Sequence, residues 1–492
     1  MMMMMRTRHV GRSRVFTYRR SFLCTDSVIE IARNSDVEVY NSVEEHRNRL
    51  NAMATLPQGF SIGRAALDFV PEENKDMEAK MNLTIIKLDD VTENWAGVFT
   101  RNAACGSPVK IGKRMLKSKA PIGAIVVNNK ISNVCPGGGA GGEEDAQRIC
   151  DAVSSALNLS NGVVLPSSTG VIGWRLPVNE MIDAVPRAVH DLQSESALPA
   201  AEAIMTTDLY PKVRSSDMMI GSNSARLVGI AKGAGMIEPN LATMLVFLMT
   251  DLDIPRDTLQ DMLARATDKS FNCISIDSDQ STSDTVIIAS SSKVPVKSET
   301  DLHDFEHELR RVCNELARDV VRNGEGVKHV IRVHVNGAPD DIMARHIGKS
   351  IVNSPLTKCA VAGNDPNVGR VIGAVGSYLG NHIENGDEAE ALMQSCTLRI
   401  AGEVVFANGS FDLSTDKERR LVNALQEAEM YQSVPEFVDS SHVSYVPPLN
   451  FPRHDRDVSI EIDFDSGKSG SAVVIGGDLT HEYVAENADY RS

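Results

Sequence analysis

The stretch Lys232 to Phe247, KGAGMIEPNLATMLVF, holds the residues whose types and spacing could do chemistry. Gly233, Gly235, Pro239 and Asn240 punctuate its first half and predict an irregular loop. Its second half runs apolar through Leu248 and Met249 and predicts a buried strand. Thr243 stands at the junction, on the floor of whatever cleft lies above. A Thr hydroxyl is a poor nucleophile at neutral pH and needs an adjacent base. A break between Ala242 and Thr243 would supply one, because the new α-amine, with a pKa near ~8, can take the hydroxyl proton. Taken alone, the same pattern also describes a Gly-rich turn feeding a core strand. Lys232 alone is either a ligand for a carboxylate or a solvated loop lysine.

Other polar positions stand at the ends of predicted elements. Val163 to Gly173 reads as a strand running into a tight turn, where Gly170 lets the backbone approach closely beside Thr169. Glu180 to Ala203 reads as largely helical and ends before Thr206, Thr207 and Asp208. Leu302, Phe305, Leu309, Val312, Leu316 and Val320 recur at three and four, which predicts a long amphipathic helix. Asn323-Gly324 stops it, and Glu325 follows. Further helices are expected over 143–157, 255–270, 340–351 and 417–432. Strands are expected over 84–88, 121–129, 226–231, 329–335, 398–407, 460–463 and 471–475, that at 398–407 carrying a Gly kink. Alternation of strands and helices throughout predicts the α/β class.

A chain of 492 residues allows several domains with sizeable cores. The net charge of −16 argues against nucleic acid or an anionic membrane as partner. No apolar stretch of about eighteen residues appears, so no membrane span is expected. The eight cysteines are scattered without a CxxC pair and read as free thiols, neither a disulfide framework nor a zinc site. Asp277, Asp279 and Asp284 lie close together, but the spacing lacks the Gly and Glu of a calcium loop. The Gly-rich run 136–142 precedes a helix, yet Glu143, Glu144 and Asp145 in its first turn would repel a phosphate. Residues 1–25 carry Arg6, Arg8, Arg12, Arg14, Arg19 and Arg20 and no acid, the composition of a mitochondrial transit peptide. Residues 433–456 are polar, Pro-rich and read as an insertion.

The run KGAGMIEPNLATMLVF resembles the self-cleavage segment of the ornithine acetyltransferase (glutamate N-acetyltransferase) family. Further segments resemble that family in the same order from about Val98 to Ser492. The resemblance implies layered sheets and helices, as in that family and in related self-cleaving aminopeptidases. It implies an α fragment, 26–242, and a β fragment, 243–492, that stay together as two of each; the composition of the leader, not the resemblance, adds the expectation of a mitochondrial matrix address. Thr243 is then the acetyl acceptor that carries an acetyl group from N2-acetyl-L-ornithine to L-glutamate. Thr169 and the Gly170 N–H face the developing oxyanion, each such donor being worth about 3 kcal/mol of barrier. Thr206, with Thr207 as the alternative, contacts substrate together with Lys232, Glu325, Asn487 and Ser492. No cofactor or metal is implied, and acetyl-CoA enters, if at all, as a co-substrate. Cys273, Ser278, Ser283 and Val368 depart from the family pattern, as does 130–142. Two other classes therefore stay open: a self-cleaving amidohydrolase or aminopeptidase, and an inactive binding homologue.

Overall fold

The computed structural model describes residues 37–137, 141–238, 244–431, 435–439, 442–445 and 449–488. The expected leader 1–25, the Ala242–Thr243 junction and Ser492 lie outside the described residues, as do parts of the 136–142 loop and of the 433–456 insertion.

The described residues from Glu38 onward form one compact unit that contains two bodies of sheet and helix. The first has four layers. A five-stranded sheet runs in the order 95–99, 285–295, 245–253, 223–232, 212–220. Its central strand, Leu245–Asp253, is buried on both faces and parallel to Thr285–Pro295. Alternation still decides which side chain goes where. Val246 and Leu248 pack against the helices Arg256–Lys269 and Glu299–Arg322. Leu245, Phe247 and Met249 pack instead against a second sheet, among Phe60, Ile62, Ile86 and Ile125. That second sheet has four strands, in the order 60–69, 79–92, 122–128, 164–168. Its far face is closed by the helices Gly142–Ala156 and Val178–His190 through Met81, Ile85, Ile149, Val153 and Val185. Helix, sheet, sheet and helix thus lie in sequence, each burying an apolar face on the next.

The second body is a seven-stranded sheet with Val330–Ala338 near its middle, beside Val458–Phe464 and Gly470–Gly477. The helices Asp341–Val352, Val368–His382 and Thr415–Ala428 cover it. The strand Ile274–Ser275 at the sheet's edge pairs with Gly470–Gly477 and follows directly on the turn after helix Arg256–Lys269, which ties the two bodies together.

The long helix forms over Glu299–Arg322 as the periodicity predicts. Ser298 Oγ accepts from the Asp301 N–H while the Asp301 carboxylate accepts from the Ser298 N–H, closing a capping box. Three expectations change. The span 180–203 is two helices, Val178–His190 and Leu198–Ala203, because Gln193 exchanges backbone hydrogen bonds with Ile62 in the neighbouring strand. The expected kinked strand over 398–407 is a hairpin, with Ala401 and Gly402 at φ +48° and +81° turning the chain back. The helix expected over 417–432 is Thr415–Ala428, capped by Ser414. The described cysteines are free thiols. Among the described residues no helix is long and apolar enough to cross a membrane.

Candidate active site

Strand ends converge on the residue that precedes the central strand. Lys232 ends the strand Asn223–Lys232 and pairs with Leu245. Thr285 begins its own strand and pairs with Leu245 from the other side. Met244, the first described residue after the Ala242–Thr243 junction, therefore lies between Lys232 and Asp284. Its N–H donates to Asp284 Oδ1 at 3.0 Å. Burial raises the Asp284 carboxyl well above the usual carboxylate range, against the opposing pull of the Met244 amide and Lys232.

The Thr169–Gly170 turn follows the strand Val164–Ser168 at the edge of the other sheet. Gly170 sits at φ +122°, and a Cβ there would stand 2.1 Å from the Lys130 carbonyl carbon. Only glycine lets the two loops approach so closely. Thr169 is fully buried and its Oγ1 accepts from Lys232 Nζ at 3.0 Å. An ammonium can only donate, so the Thr169 proton stays free to donate elsewhere. Lys232 is itself buried, and burial lowers its pKa while Asp208, Glu325 and Asp284 act in the opposite sense.

Asp208 neutralises this cluster. It pairs with Lys212, and its Oδ1 accepts from the Gly233 N–H at 2.9 Å. Burial raises its carboxyl, but Lys212, Lys232 and the Gly233 amide outweigh burial and hold it at about 2. Lys212 Nζ also donates to Asn323 Oδ1 at 3.0 Å, which anchors the end of the long helix to the cluster.

Glu325, buried just beyond that helix, faces the same place. Its Oε1 accepts from Thr207 Oγ1 at 2.6 Å and its Oε2 from Asn487 Nδ2 at 2.9 Å. Its backbone N–H donates to the Ala234 carbonyl at 2.8 Å. A Cβ on Gly235 would stand 2.2 Å from Glu325 Oε2, so the carboxylate lies directly against the loop backbone. Asn487 belongs to the helix His481–Ala488, held to Glu325's turn by the Thr480 hydroxyl on the Gly326 carbonyl at 2.7 Å.

Of the residues singled out from sequence, Thr169, Gly170, Lys232, Glu325 and Asn487 belong to this one region. Thr206 is exposed and its N–H donates to Asp208; the hydroxyl that reaches Glu325 is that of Thr207. Lys232, read as meeting a substrate carboxylate, points at Thr169. Thr243, Ala242 and Ser492 are outside the described residues.

Sequence reasoning missed Asp208, Lys212, Asp284 and Glu486. The Asp208–Lys212 spacing of four was the available signal for the first pair. Glu486 adds a further carboxyl, pushed up to about 7 by burial and by Glu325 and Asp208 nearby. Asp277 accepts from the N–H groups of Met236 and Ile237 at 2.6 and 2.7 Å, so it braces the loop. Among the described residues no three His, Cys, Asp or Glu side chains form a metal site. Ser278, where the resemblance expects Gly, adopts φ +64°, a conformation glycine takes without strain. Cys273, where an Arg is expected, is buried, and a guanidinium from another helix, that of Arg345, lies close enough to affect it.

The sequence model of the ArgJ family matches residues 70–492. An arginine biosynthesis bifunctional protein ArgJ of Nitratidesulfovibrio vulgaris is 34% identical over 442 residues, 89% of this chain and 100% of its own. A glutamate N-acetyltransferase of Methanosarcina acetivorans is 35% identical over 414 residues, 84% of this chain and 94% of its own. Among solved structures, the arginine biosynthesis bifunctional protein argJ of Bacillus halodurans is 28% identical. It covers 49% of this chain and 97% of its own, with a TM-score of 0.39.

Proposed function

Because the chain belongs to the ArgJ family, we propose that it moves the acetyl group of N2-acetyl-L-ornithine to L-glutamate through an acetyl ester on Thr243. Its class is that of the acetyltransferases of arginine biosynthesis. The observation that carries the finer reading is the Lys232–Thr169 contact beside Gly170, because it leaves a hydroxyl proton, next to a glycine turn, free for a developing oxyanion.

In this reading the chain cleaves between Ala242 and Thr243. The freed α-amine takes the Thr243 hydroxyl proton as the oxygen attacks the acetyl carbonyl. The tetrahedral oxyanion accepts hydrogen bonds from Thr169 and the Gly170 N–H. Collapse expels the α-nitrogen of ornithine, which receives the proton held by the amine. The amine of glutamate, in its neutral form, then attacks the ester and regenerates the hydroxyl. Glu325 meets a substrate ammonium with the lone pairs that Thr207 and Asn487 leave free. Lys232 serves the step by orienting Thr169, and Asp208 opposes the lowering of the lysine's pKa by burial. The reading extends to paired 26–242 and 243–492 fragments, two of each, to Ser492 at the site, to a mitochondrial address in 1–25, and to acetyl-CoA as an additional donor.

Intact mass of purified wild type should show two chains, and Thr243→Ala one uncut chain without acetyl transfer. Two fragments in Thr243→Ala would assign the cut to an outside protease. Acetyl-ornithine consumption that does not depend on glutamate would replace transfer by hydrolysis.

A further inference from the structure

A cavity of about 340 Å³ has Glu238 on its wall. It opens between the end of the strand Trp95–Phe99, the end of helix Arg256–Lys269 and the face of helix Asp341–Val352. Its lining contains none of Thr169, Asp208, Lys232 or Glu325. The volume falls within the size range of small-molecule sites, roughly 300–1,000 Å³.

The charges lining it do not cancel. Asp268 is engaged by Arg345 at 2.5 Å. Glu238 is engaged by Lys349 at 3.4 Å, and its other oxygen accepts from Ser275 Oγ at 2.8 Å and Asn353 Nδ2 at 2.5 Å. Arg101 has no acidic partner among the described residues and is exposed at the cavity wall. One guanidinium is therefore left over, with Arg345 and Lys349 as further donors. Asn272 lines the same space, and its side-chain oxygen is buried without a hydrogen-bond partner. Oxygen and nitrogen of a carboxamide exchange by a flip, so Asn272 can offer either a donor or an acceptor to an occupant. Val98 and Phe99 supply an apolar wall. An excess guanidinium, a carboxamide whose oxygen is unpartnered and an apolar wall suit an organic anion with a short carbon skeleton.

We propose that this cavity is a second binding site, for an amino-acid-sized organic carboxylate seated on Arg101 and Asn272. The guanidinium grips the carboxylate in its planar fork. The occupant touches Glu238, the last described residue before 239–243, so occupancy changes the rate of the reaction carried by that segment. Only this rate effect rests on the function proposed above; the binding does not.

Calorimetric titration of the processed protein with L-glutamate, N-acetyl-L-glutamate, citrate and inorganic phosphate tests it, in wild type, Arg101→Glu and Glu325→Gln. Arg101 is exposed, so its substitution leaves the fold intact, which a matching melting curve checks. At least one carboxylate should bind Glu325→Gln as it binds wild type, and bind Arg101→Glu roughly ten- to a hundredfold more weakly. Binding of phosphate without any carboxylate overturns the assigned ligand class. No binding, or binding that Glu325→Gln abolishes and Arg101→Glu spares, overturns the site. Arg101→Glu should also remove any effect of citrate on the rate while leaving the citrate-free rate unchanged.

Discussion

Two buried polar clusters, which approach each other in the chain at Glu325 and His329, differ in how they end. Around His329 every bond closes on the protein. His329 Nδ1 meets Asp478 Oδ2 at 2.7 Å, its Nε2 meets Asn364 Oδ1 at 3.1 Å, and Asp478 Oδ1 accepts from the Lys328 N–H at 2.9 Å. Both side chains of the pair are fully buried. The His329–Asp478 pair itself offers nothing to a ligand, and the cluster holds the start of the strand Val330–Ala338 against the end of Gly470–Gly477. Around Asp208 the network is open. Thr169 keeps a proton to donate, Glu325 keeps lone pairs, and Asn487 at the rim is exposed. Burial of charge is common to both; residual hydrogen-bonding capacity directed at one place makes the second the candidate site.

Breaking the open cluster should cost the most. Asp208→Asn leaves Lys212 and Lys232 without their shared carboxylate and should cost about 3–5 kcal/mol of stability, read from denaturant melts. It should also lower kcat/KM of the molecules that remain folded. Because the Asp208 carboxyl is depressed to about 2, its contribution is present at neutral pH and is lost as pH falls toward that value. Thr169→Val keeps the shape but removes both the free proton and the acceptor of Lys232; kcat should fall about 10²–10³-fold, alongside a stability loss of about 1–3 kcal/mol from the buried lysine left unpaired, read separately from melting curves. In the closed cluster, Asp478→Asn should cost roughly 1.5–3 kcal/mol and leave kcat/KM of the folded fraction unchanged. A large kinetic defect there would erase the distinction between the clusters. The smallest effect sharpens it. Glu486 is neutral below about 7 and gains charge above, placing a further negative charge beside Glu325. For a substrate bearing an ammonium, kcat/KM should therefore rise roughly two- to fivefold through that pH. Glu486→Gln should lose this limb in a pH–rate profile, and an identical profile would detach Glu486 from the site.

Local signals were enough for several parts. The three-and-four spacing from Leu302 to Val320 specified a helix, since an apolar stripe is a property of neighbours in the chain. The apolar run after Thr243 specified a buried strand, and the Thr169–Gly170 turn and Glu325 were legible only through the family resemblance, each being locally an ordinary turn. The choice between Thr206 and Thr207 was not, because adjacent residues on a turn differ only in direction, and direction is set by Glu325, far along the chain. Gln193 leaves the helical pattern around it because Ile62 offers backbone partners, a pairing that local propensity does not contain.

By itself the sequence determined the elements, the loop that carries Thr243 and the chemical types at its edges, all of which depend on residues within a turn or two of each other. Tertiary structure alone decided that Asp208 and Lys212 join residues 169, 232, 325 and 487 in one buried network, that Lys232 faces Thr169, and that Arg101 faces a separate cavity. Those outcomes depend on how sheets stack and strands register, and the energy that selects them comes from burial between segments distant in the chain.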